Sequence, residues 1–272
     1  MILTNEQLER YSRHIILKDI GVKGQKKLCE AKVLIIGAGG LGAPAAMYLA
    51  AAGVGQIGIA DADTVDLSNL QRQIIHTTND LGKPKVESAK ETMQAINPDT
   101  DVKIYNEFIY SQNILELIAD YDFILDGTDN FPAKFLINDA CVMADKPFTH
   151  AGIICFEGQL MTVVPHQTPC YRCVFTNPPP KGAVPTCHEA GVVGAMAGVI
   201  GCLQALEAIK YITGAGELLT GRLLIFDALS MRFHTAKLPP RGSGCAVCSD
   251  HPSITELIDY DPPTCGVKGG GA

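Results

Sequence analysis

The stretch VLIIGAGGLGAPAA, from Val33 to Ala46, joins an apolar β-branched run to a run of small residues. The first run predicts a buried strand over Lys32–Ile36, and the alanine-rich run predicts a helix over Leu41–Ala52. Between them stand Gly37, Gly39, Gly40 and Gly42, of which all but Gly40 fit the pattern GxGxxG. Such a turn between a strand and a helix presents free backbone N–H groups to a phosphate. It therefore predicts a nucleotide site, without deciding between NAD and ATP.

Strands alternate with helices along the rest of the chain, which predicts an α/β fold of the Rossmann type. The other predicted strands are Gln56–Ala60, Asp101–Tyr105, Phe123–Asp126, Phe148–Gly152, Gln159–Val164, Arg222–Phe226 and Arg232–Lys237. The other predicted helices begin near Asn5, behind a capping box, and span Lys85–Ile96, Ala133–Ala144 and Glu189–Ile212. We expect a mostly parallel sheet with helices on both faces and antiparallel strands at one edge.

We expect one domain over residues 1–272. Residues 1–30 form a helical arm whose first helix carries Arg13, and residues 31–165 form the nucleotide-binding half. Residues 166–260 hold an irregular crossover loop, a buried helix, the late strands and a metal site. The loop is predicted because the segment from Pro165 to Pro185 contains six prolines, counting both ends. Residues 261–272 are expected to form a flexible tail.

Composition excludes several classes of protein. The 272 residues carry a net charge of -7 and no basic run, so a nucleic-acid partner is not expected. The charged N-terminal segment lacks the apolar core of a signal peptide. The uncharged stretch 190–206 is glycine-rich and shorter than the ~20 residues of a membrane span, so it predicts a buried helix. Ten cysteines without a secretion signal predict a cytoplasmic location.

Charged residues near the glycine turn favour ATP. Asp61, at the end of the second strand, is placed to hydrogen-bond a ribose hydroxyl. Arg72 and Lys85 follow, and they offer the positive charge that a triphosphate requires. Asp129 comes after another predicted strand and is a candidate Mg²⁺ ligand. Its neighbour Asn130 is either a nucleotide ligand or the cap of the next helix.

Five motifs, taken in order, resemble the ThiF/MoeB/HesA family, whose members are related to the ubiquitin-activating enzymes. They are RYSRHI at 10–15, GAGGLG at 37–42, DADTVDLSNLQRQ at 61–73, GKPK at 82–85 and DGTDN at 126–130. The resemblance implies adenylation of the C-terminal glycine of a ubiquitin-like (β-grasp) sulfur carrier ending in Gly-Gly, as in thiamine or molybdopterin synthesis. It also implies a homodimer in which Arg13 reaches the phosphates held by the neighbouring subunit.

Carried over by position, the resemblance assigns binding of Mg·ATP to residues around the turn. These are Gly37, Gly39, Gly40, Gly42, Asp61, Asp63, Ser68, Asn69, Leu70, Gln71, Arg72, Lys85, Asp129 and Asn130. Arg13, Arg72, Lys85, Asp129 and Cys187 are the expected catalytic residues. The cations in this set suit the implied reaction. A carboxylate and a triphosphate are both anions, so they can approach each other only where cations screen their charges. No general base is needed, since the carboxylate is already ionised.

The cysteines suggest a second site. The CxxC pairs Cys170/Cys173 and Cys245/Cys248 are candidate ligands of a tetrahedral zinc ion, and two unrelated thiol pairs are the alternative. The resemblance favours a structural zinc, since many family members carry these pairs. Cys187 precedes the long predicted helix, whose N-terminus lowers a thiol pKa. The resemblance implies that it accepts the activated carboxyl group or takes part in sulfur transfer; an ordinary loop residue is the alternative.

Three other readings remain open at the level of sequence. An NAD-dependent dehydrogenase would need a hydride-transfer site, which is not evident. A tRNA-modifying dehydratase of the same superfamily would need a basic surface, and the CxxC pairs argue against it. A non-catalytic partner subunit is opposed by the complete set of charged residues. Because the sequence contains no rhodanese-like extension, we expect a separate cysteine desulfurase or rhodanese-like protein to donate sulfur.

Overall fold

A computed structural model describes residues 2–180 and 190–260. The strands are β1 (Lys32–Ile36), β2 (Gln56–Ala60), β3 (Asp101–Tyr105), β4 (Phe123–Asp126), β5 (Phe148–Ile154), β6 (Glu157–Val163), β7 (Arg222–Asp227) and β8 (Arg232–Lys237). The helices are α1 (Asn5–Arg10), α2 (Ser12–Ile15), α3 (Gly21–Glu30), α4 (Gly42–Ala51), α5 (Lys85–Ile96), α6 (Ile114–Ala119), α7 (Phe131–Met143), α8 (Tyr171–Val174) and α9 (Gly194–Thr213). Two short 3₁₀ turns span Leu67–Asn69 and Thr78–Asp80.

The eight strands form one sheet in the order β3-β2-β1-β4-β5-β6-β7-β8. The first five are parallel, and β6, β7 and β8 pair antiparallel at one edge. This confirms the predicted fold class. Ile36 pairs with both Ala60 and Asp126, so β1, β2 and β4 end at the same level. The loops that follow these strands therefore meet above one edge of the sheet, where ligands bind in such folds.

Buried side chains lie on both faces of the sheet, because successive residues of a strand point to opposite sides. Val33 and Ile35 belong to a cluster with residues of α3, α4, α5 and α9. Leu34 and Ile36 belong to a second cluster with residues of α6 and α7. The prediction of helices on both faces is confirmed.

Helix α9 has the length and mean hydropathy of a membrane span, and it is the only such helix in residues 2–180 and 190–260. Its Ala205 and Ala208 are buried in the cluster with α4 and β1. A core helix of a globular domain has these same properties, so composition alone is weak evidence for a membrane.

Three predictions about these elements are wrong, and several other element ends differ from prediction by one or two residues. The first helix ends at Arg10, because Tyr11 leaves helical geometry with φ -97° and ψ 13°; Arg13 lies on the separate helix α2. The long helix begins at Gly194 instead of Glu189, since Gly191 has a φ of 78° and Val192 bridges to Cys155. The proline-rich segment is not wholly irregular, because it contains α8. Pro185, Cys187 and Cys265 lie outside the described residues.

Candidate functional site

The glycine turn is held in a shape that side chains would prevent. Gly37 has a φ of 101°, and a Cβ there would lie 2.8 Å from the carbonyl oxygen of Gly127. A Cβ on Gly42 would lie 1.9 Å from the carbonyl oxygen of Gly37. The N–H groups of Gly39, Gly40 and Leu41 have no hydrogen-bond partner within the described ranges. They lie at the positive N-terminal end of α4, so the turn is shaped to receive an anion.

Three charged side chains come together near the end of β2, two from the loop that follows this strand and one from the start of α5. Asp61 Oδ2 accepts a hydrogen bond from the N–H of Ala38 at 2.8 Å, and its Oδ1 accepts one from the N–H of Asp63 at 2.9 Å. Burial raises the pKa of Asp61 above its ordinary value, although the nearby Lys85 ammonium lowers it. The buried Lys85 donates from Nζ to Asp63 Oδ2 at 2.7 Å. The structure thus places the sequence-predicted residues Asp61, Asp63 and Lys85 together.

The segment after β2 folds back over the turn. Arg72 donates from Nη1 to the carbonyl oxygen of Ser68 at 2.9 Å, and a Cβ on Gly40 would lie 3.6 Å from Arg72 Cγ. Ser68 and Asn69 use their side chains in hydrogen bonds with Asp66, which cap the 3₁₀ turn at 67–69. Arg72 therefore lies against the glycine turn, with Ser68 and Asn69 shaping the loop beside it.

Leu70 and Gln71 occupy the backbone between that 3₁₀ turn and Arg72. A Cβ on Gly194 would lie 2.0 Å from the carbonyl oxygen of Gln71. The start of α9 is therefore packed directly on this segment. Only glycine at position 194 allows the close approach.

The DGTDN motif follows β4. Asp126 is buried and accepts hydrogen bonds from Thr128, Lys134 and His150. Burial alone would raise the pKa of Asp126, but Lys134 and the hydrogen bonds outweigh it and hold that pKa well below its usual range. Asp126 therefore stays ionised and fixes the turn that leads to Asp129.

Asp129 and Asn130 are placed differently from each other. Asp129 is exposed, and it makes no hydrogen bond within the described part of the chain. Asn130 Oδ1 accepts from the N–H of Ala133 at 2.9 Å and caps α7. Asn130 thus has the capping role that the sequence left open, while Asp129 presents a free carboxylate two residues beyond Gly127, which packs on the glycine turn.

Arg13 lies away from the glycine turn of its own chain. A Cβ on Gly53 would lie 2.4 Å from Tyr11 Cζ, so the Tyr11 ring packs where α4 has ended. The glycine turn is at the other end of this ten-residue helix, about 15 Å away. Arg13 is exposed two residues beyond Tyr11. The structure does not bring it to the other predicted site residues.

The four cysteines of the CxxC pairs come together across the chain. All four Sγ atoms lie within 4.8 Å of one another. The close pairs are Cys173–Cys248 at 3.4 Å, Cys170–Cys245 at 3.7 Å and Cys170–Cys173 at 4.0 Å. A disulfide requires sulfurs at about 2.05 Å, whereas sulfurs bound to one zinc ion lie about 3.8 Å apart. This donor set fits a closed, four-thiolate metal site, and two unrelated pairs are excluded.

Several buried polar residues near the turn were missed from the sequence. His76 places Nε2 3.1 Å from the carbonyl oxygen of Ala38 and Nδ1 2.8 Å from Ser88 Oγ. Burial lowers the pKa of His76, so the ring is neutral and donates from Nε2. Lys134, His150 and Gln73 were missed as well. No local pattern distinguishes these residues, since each contact joins segments far apart in sequence.

Comparisons with known proteins identify the family of this chain. The model of the ThiF family matches residues 11–247. Adenylyltransferase and sulfurtransferase MOCS3 of Aedes aegypti is 48% identical over 266 residues, covering 98% of this chain and 61% of the relative. The protein of the same name from Culex quinquefasciatus is 49% identical over 267 residues, covering 98% and 60%. The chain therefore spans about three-fifths of the length of these relatives.

Solved structures show the same fold. The crystal structure of E. coli MccB with MccA-N7isoASN has a TM-score of 0.79 and 26% identity, covering 91% of this chain and 76% of that one. The structure of E. coli MccB with AMPCPP and selenomethionine-labelled MccA has a TM-score of 0.75 and 27% identity, covering 88% and 74%. The second of these contains AMPCPP together with MccA.

Proposed function

The chain belongs to the ThiF family, and we propose from this membership that it is an ATP-dependent adenylyltransferase. Its substrate is the C-terminal glycine carboxylate of a small β-grasp sulfur carrier that ends in Gly-Gly. The product is a carrier adenylate, ready for sulfur transfer in molybdopterin, thiamine or related synthesis, and pyrophosphate is released. The relatives named adenylyltransferase and the MccB structure containing AMPCPP support this proposal.

One observation carries the proposal most directly: Arg72 lies against Gly40, in a turn where the N–H groups of residues 39–41 have no hydrogen-bond partner among the described residues. Lys85 is a second cation near the turn. Its ammonium donates to Asp63 and lies close enough to Asp61 to lower the pKa of that carboxyl group. A nucleotide laid on the turn would meet the amides and both cations. This charge favours a triphosphate over a dinucleotide, because the pyrophosphate of NAD needs little more than the helix end.

The reaction needs positioning and charge neutralisation. The carrier carboxylate attacks the α-phosphorus, a new P–O bond forms, and the bond to pyrophosphate breaks. Arg72 and Lys85 stabilise the negative charge that develops on the leaving group. The exposed carboxylate of Asp129 would hold Mg²⁺ against the phosphates, which is the chemistry that hard oxygen ligands favour. The product is a mixed anhydride with AMP as its leaving group.

Two subunits would share each site in this proposal. Arg13 is exposed and lies away from the glycine turn of its own chain, so it is free to serve the neighbouring subunit of a homodimer. The four clustered thiols would hold Zn²⁺, which would tie the segment around α8 to the segment around Cys245 and supply no chemical step. Cys187 remains a candidate acceptor for the activated carboxyl group, and a separate protein would donate the sulfur.

The proposal is tested by exchange of labelled pyrophosphate into ATP in the presence of candidate carriers, with mass spectrometry to detect the carrier adenylate. We expect exchange with the unmodified protein. Arg72→Ala and Asp129→Ala should each reduce it by at least about a hundredfold while the fold survives. Arg232→Ala, at an exposed arginine on β8, is the matched control and should exchange normally. Tight binding of NAD with no binding of ATP would reject the proposal in favour of a dehydrogenase.

A further inference from the structure

Arg13 is an exposed side chain on an element that cannot hold its own position. It lies on α2, which spans only Ser12–Ile15. So short a helix is not stable by itself in water, because its first turn fixes many dihedral angles for few hydrogen bonds. The neighbours of Arg13 are more buried: Tyr11 is only 3% exposed, and His14 is half-buried. The contacts of Tyr11 and His14 therefore decide where Arg13 lies.

Tyr11 is seated at the C-terminal end of α4. Its hydroxyl oxygen accepts a hydrogen bond from Asn97 Nδ2 at 2.8 Å, and the same amide group donates to the carbonyl oxygen of Ala50 at 2.8 Å. The ring fills the space beside Gly53, where a Cβ would lie 2.6 Å from the Tyr11 hydroxyl oxygen. Asn97 is fully buried, so water does not compete for these bonds. Both the ring and the hydroxyl of Tyr11 are thus fixed.

His14 is anchored to the same end of α4 by a second route. Its Nδ1 lies 3.0 Å from Gln25 Oε1, and Gln25 Nε2 donates to the carbonyl oxygen of Ala52 at 2.9 Å. Gln25 is fully buried. The last carbonyl groups of a helix have no partner in a following turn and are open to such donors. The two residues that flank Arg13 are therefore both tied to carbonyl groups where α4 ends.

Helix α1 is held by the end of α5 and the short segment after it. Gln7 donates from Nε2 to Asp99 Oδ2 at 3.1 Å, and Arg10 donates from Nη1 to the carbonyl oxygen of Ile96 at 3.2 Å. The residue that ends α1 receives its hydrogen bond from this same segment. Because α1 and its last turn share one support, the chain enters α2 at a fixed point.

Helix α4 joins this support to the nucleotide site. Its N-terminal end belongs to the glycine turn of its own chain, and its C-terminal end carries both anchors, about 15 Å away. We infer that Tyr11 is a positioning residue, which holds α2 so that Arg13 is presented to the phosphates in the neighbouring subunit's site. The inference rests on the proposed function, including the sharing of sites in a homodimer. In this role Tyr11 touches no substrate and acts through Arg13.

Exchange of labelled pyrophosphate into ATP, with carrier present, tests the inference. Tyr11→Ala removes the ring and should lower exchange about a hundredfold, as Arg13→Ala should, because a displacement of about 1 Å is enough for such a loss. Tyr11→Phe removes only the hydroxyl and should lower exchange about fivefold. Tyr121→Phe is the matched control, since Tyr121 is 1% exposed and its hydroxyl lies 2.8 Å from that of Tyr105. It should lower the melting temperature and leave exchange unchanged.

Mixed dimers separate this role from a general loss of structure. Co-expression of Tyr11→Ala and Asp129→Ala chains should restore about one quarter of the exchange, because the Asp129 variant presents its Arg13 to the intact site of the other chain. Co-expression of Tyr11→Ala and Arg13→Ala chains should restore none, since neither chain presents Arg13. A Tyr11 that acted on its own chain's site would give the opposite result in both mixtures.

The outcomes separate the inference from the function. If Tyr11→Ala fails to fold, the exchange rate of Tyr11→Phe, compared with that of Tyr121→Phe, decides the question. Normal exchange by every folded Tyr11 variant would overturn the inference and leave adenylation standing, and so would recovery in the mixture with Arg13→Ala. Absence of exchange in the unmodified protein with every carrier would reject the proposed function, and the inference with it.

Discussion

His150 couples the pH of the solution to the stability of the site. Its Nδ1 donates to Asp126 Oδ2 at 2.8 Å, and its ring packs on Tyr171 with centroids 4.0 Å apart. Burial and the nearby Lys134 ammonium together lower the pKa of His150 to about 4, although Asp126 opposes both effects. The ring is therefore neutral in the folded protein at neutral pH.

The consequence is a loss of stability in mild acid. The folded-state pKa lies below the ordinary value of about 6.5, so the unfolded chain binds the proton first as the pH falls. The contribution of His150 to the free energy of unfolding is complete above about pH 6.5 and decreases towards pH 4, by up to about 3 kcal/mol.

Urea unfolding at pH 7.5 and pH 4.5 measures this change in the free energy of unfolding. His150→Asn keeps a donor but does not titrate, so its loss should be smaller; His234→Asn, exposed on β8, should behave as the unmodified protein. An identical loss in all three proteins would contradict the assignment.

Among the elements, the start of α9 sets the position of the segment that carries Arg72. A Cβ on Gly194 would lie 2.0 Å from the carbonyl oxygen of Gln71 and 3.1 Å from Arg72 Cα, whereas a Cβ on Gly198 would meet nothing within 4 Å. Gly194→Ala should therefore displace the segment and weaken binding of Mg·ATP about tenfold. Gly198→Ala, one turn further along, should bind normally and gain up to about 1 kcal/mol in stability. Calorimetry and thermal melting measure both effects, and equal binding by the two variants would contradict this role of α9.

The four-cysteine cluster joins α8 to the segment that follows β8. Cys245→Ser removes one of the four candidate ligands, so bound metal and melting temperature should both fall if the cluster holds the proposed zinc ion. Cys202→Ser, on α9 and outside the cluster, should change neither. Elemental analysis and thermal melting provide the measurements. A metal-free protein that melts at the temperature of the unmodified one would show that the cluster does not need a metal for stability.

Sequence patterns predicted the elements whose limits are set locally. The bounds of β1 to β4 and of α5 agree with prediction, because β-branched runs and a closing Asn97-Pro98 define them. Helix α3 was missed, since GVKGQKKLCE contains two glycines and its stability comes from packing of Leu28 in the core. The contact between His76 and Ala38 of the glycine turn was also missed. It depends on how one loop folds over another, which no local pattern encodes.

For the whole molecule, the proposed homodimer with shared sites predicts complementation between an Arg13 variant and an Asp129 variant. A mixed dimer of one Arg13→Ala chain and one Asp129→Ala chain would have one site with both residues intact, because each chain supplies what the other lacks. Random mixing should restore about one quarter of the pyrophosphate exchange of the unmodified protein. Mixing Arg72→Ala with Asp129→Ala should restore none if both residues act within the same chain's site. Recovery in neither mixture would argue against a shared site.

Strand β8 forms one edge of the sheet, and this edge is exposed to water. It is the last strand in the order, and all six of its side chains are exposed. Such an edge can template the strand of another molecule and lead to aggregation. Arg232 and Lys237 stand at its two ends, so a second copy laid antiparallel would bring like charges opposite each other. Dissolved salt weakens that repulsion. We therefore expect self-association through β8 to increase with ionic strength, under the control of two side chains remote from the nucleotide site.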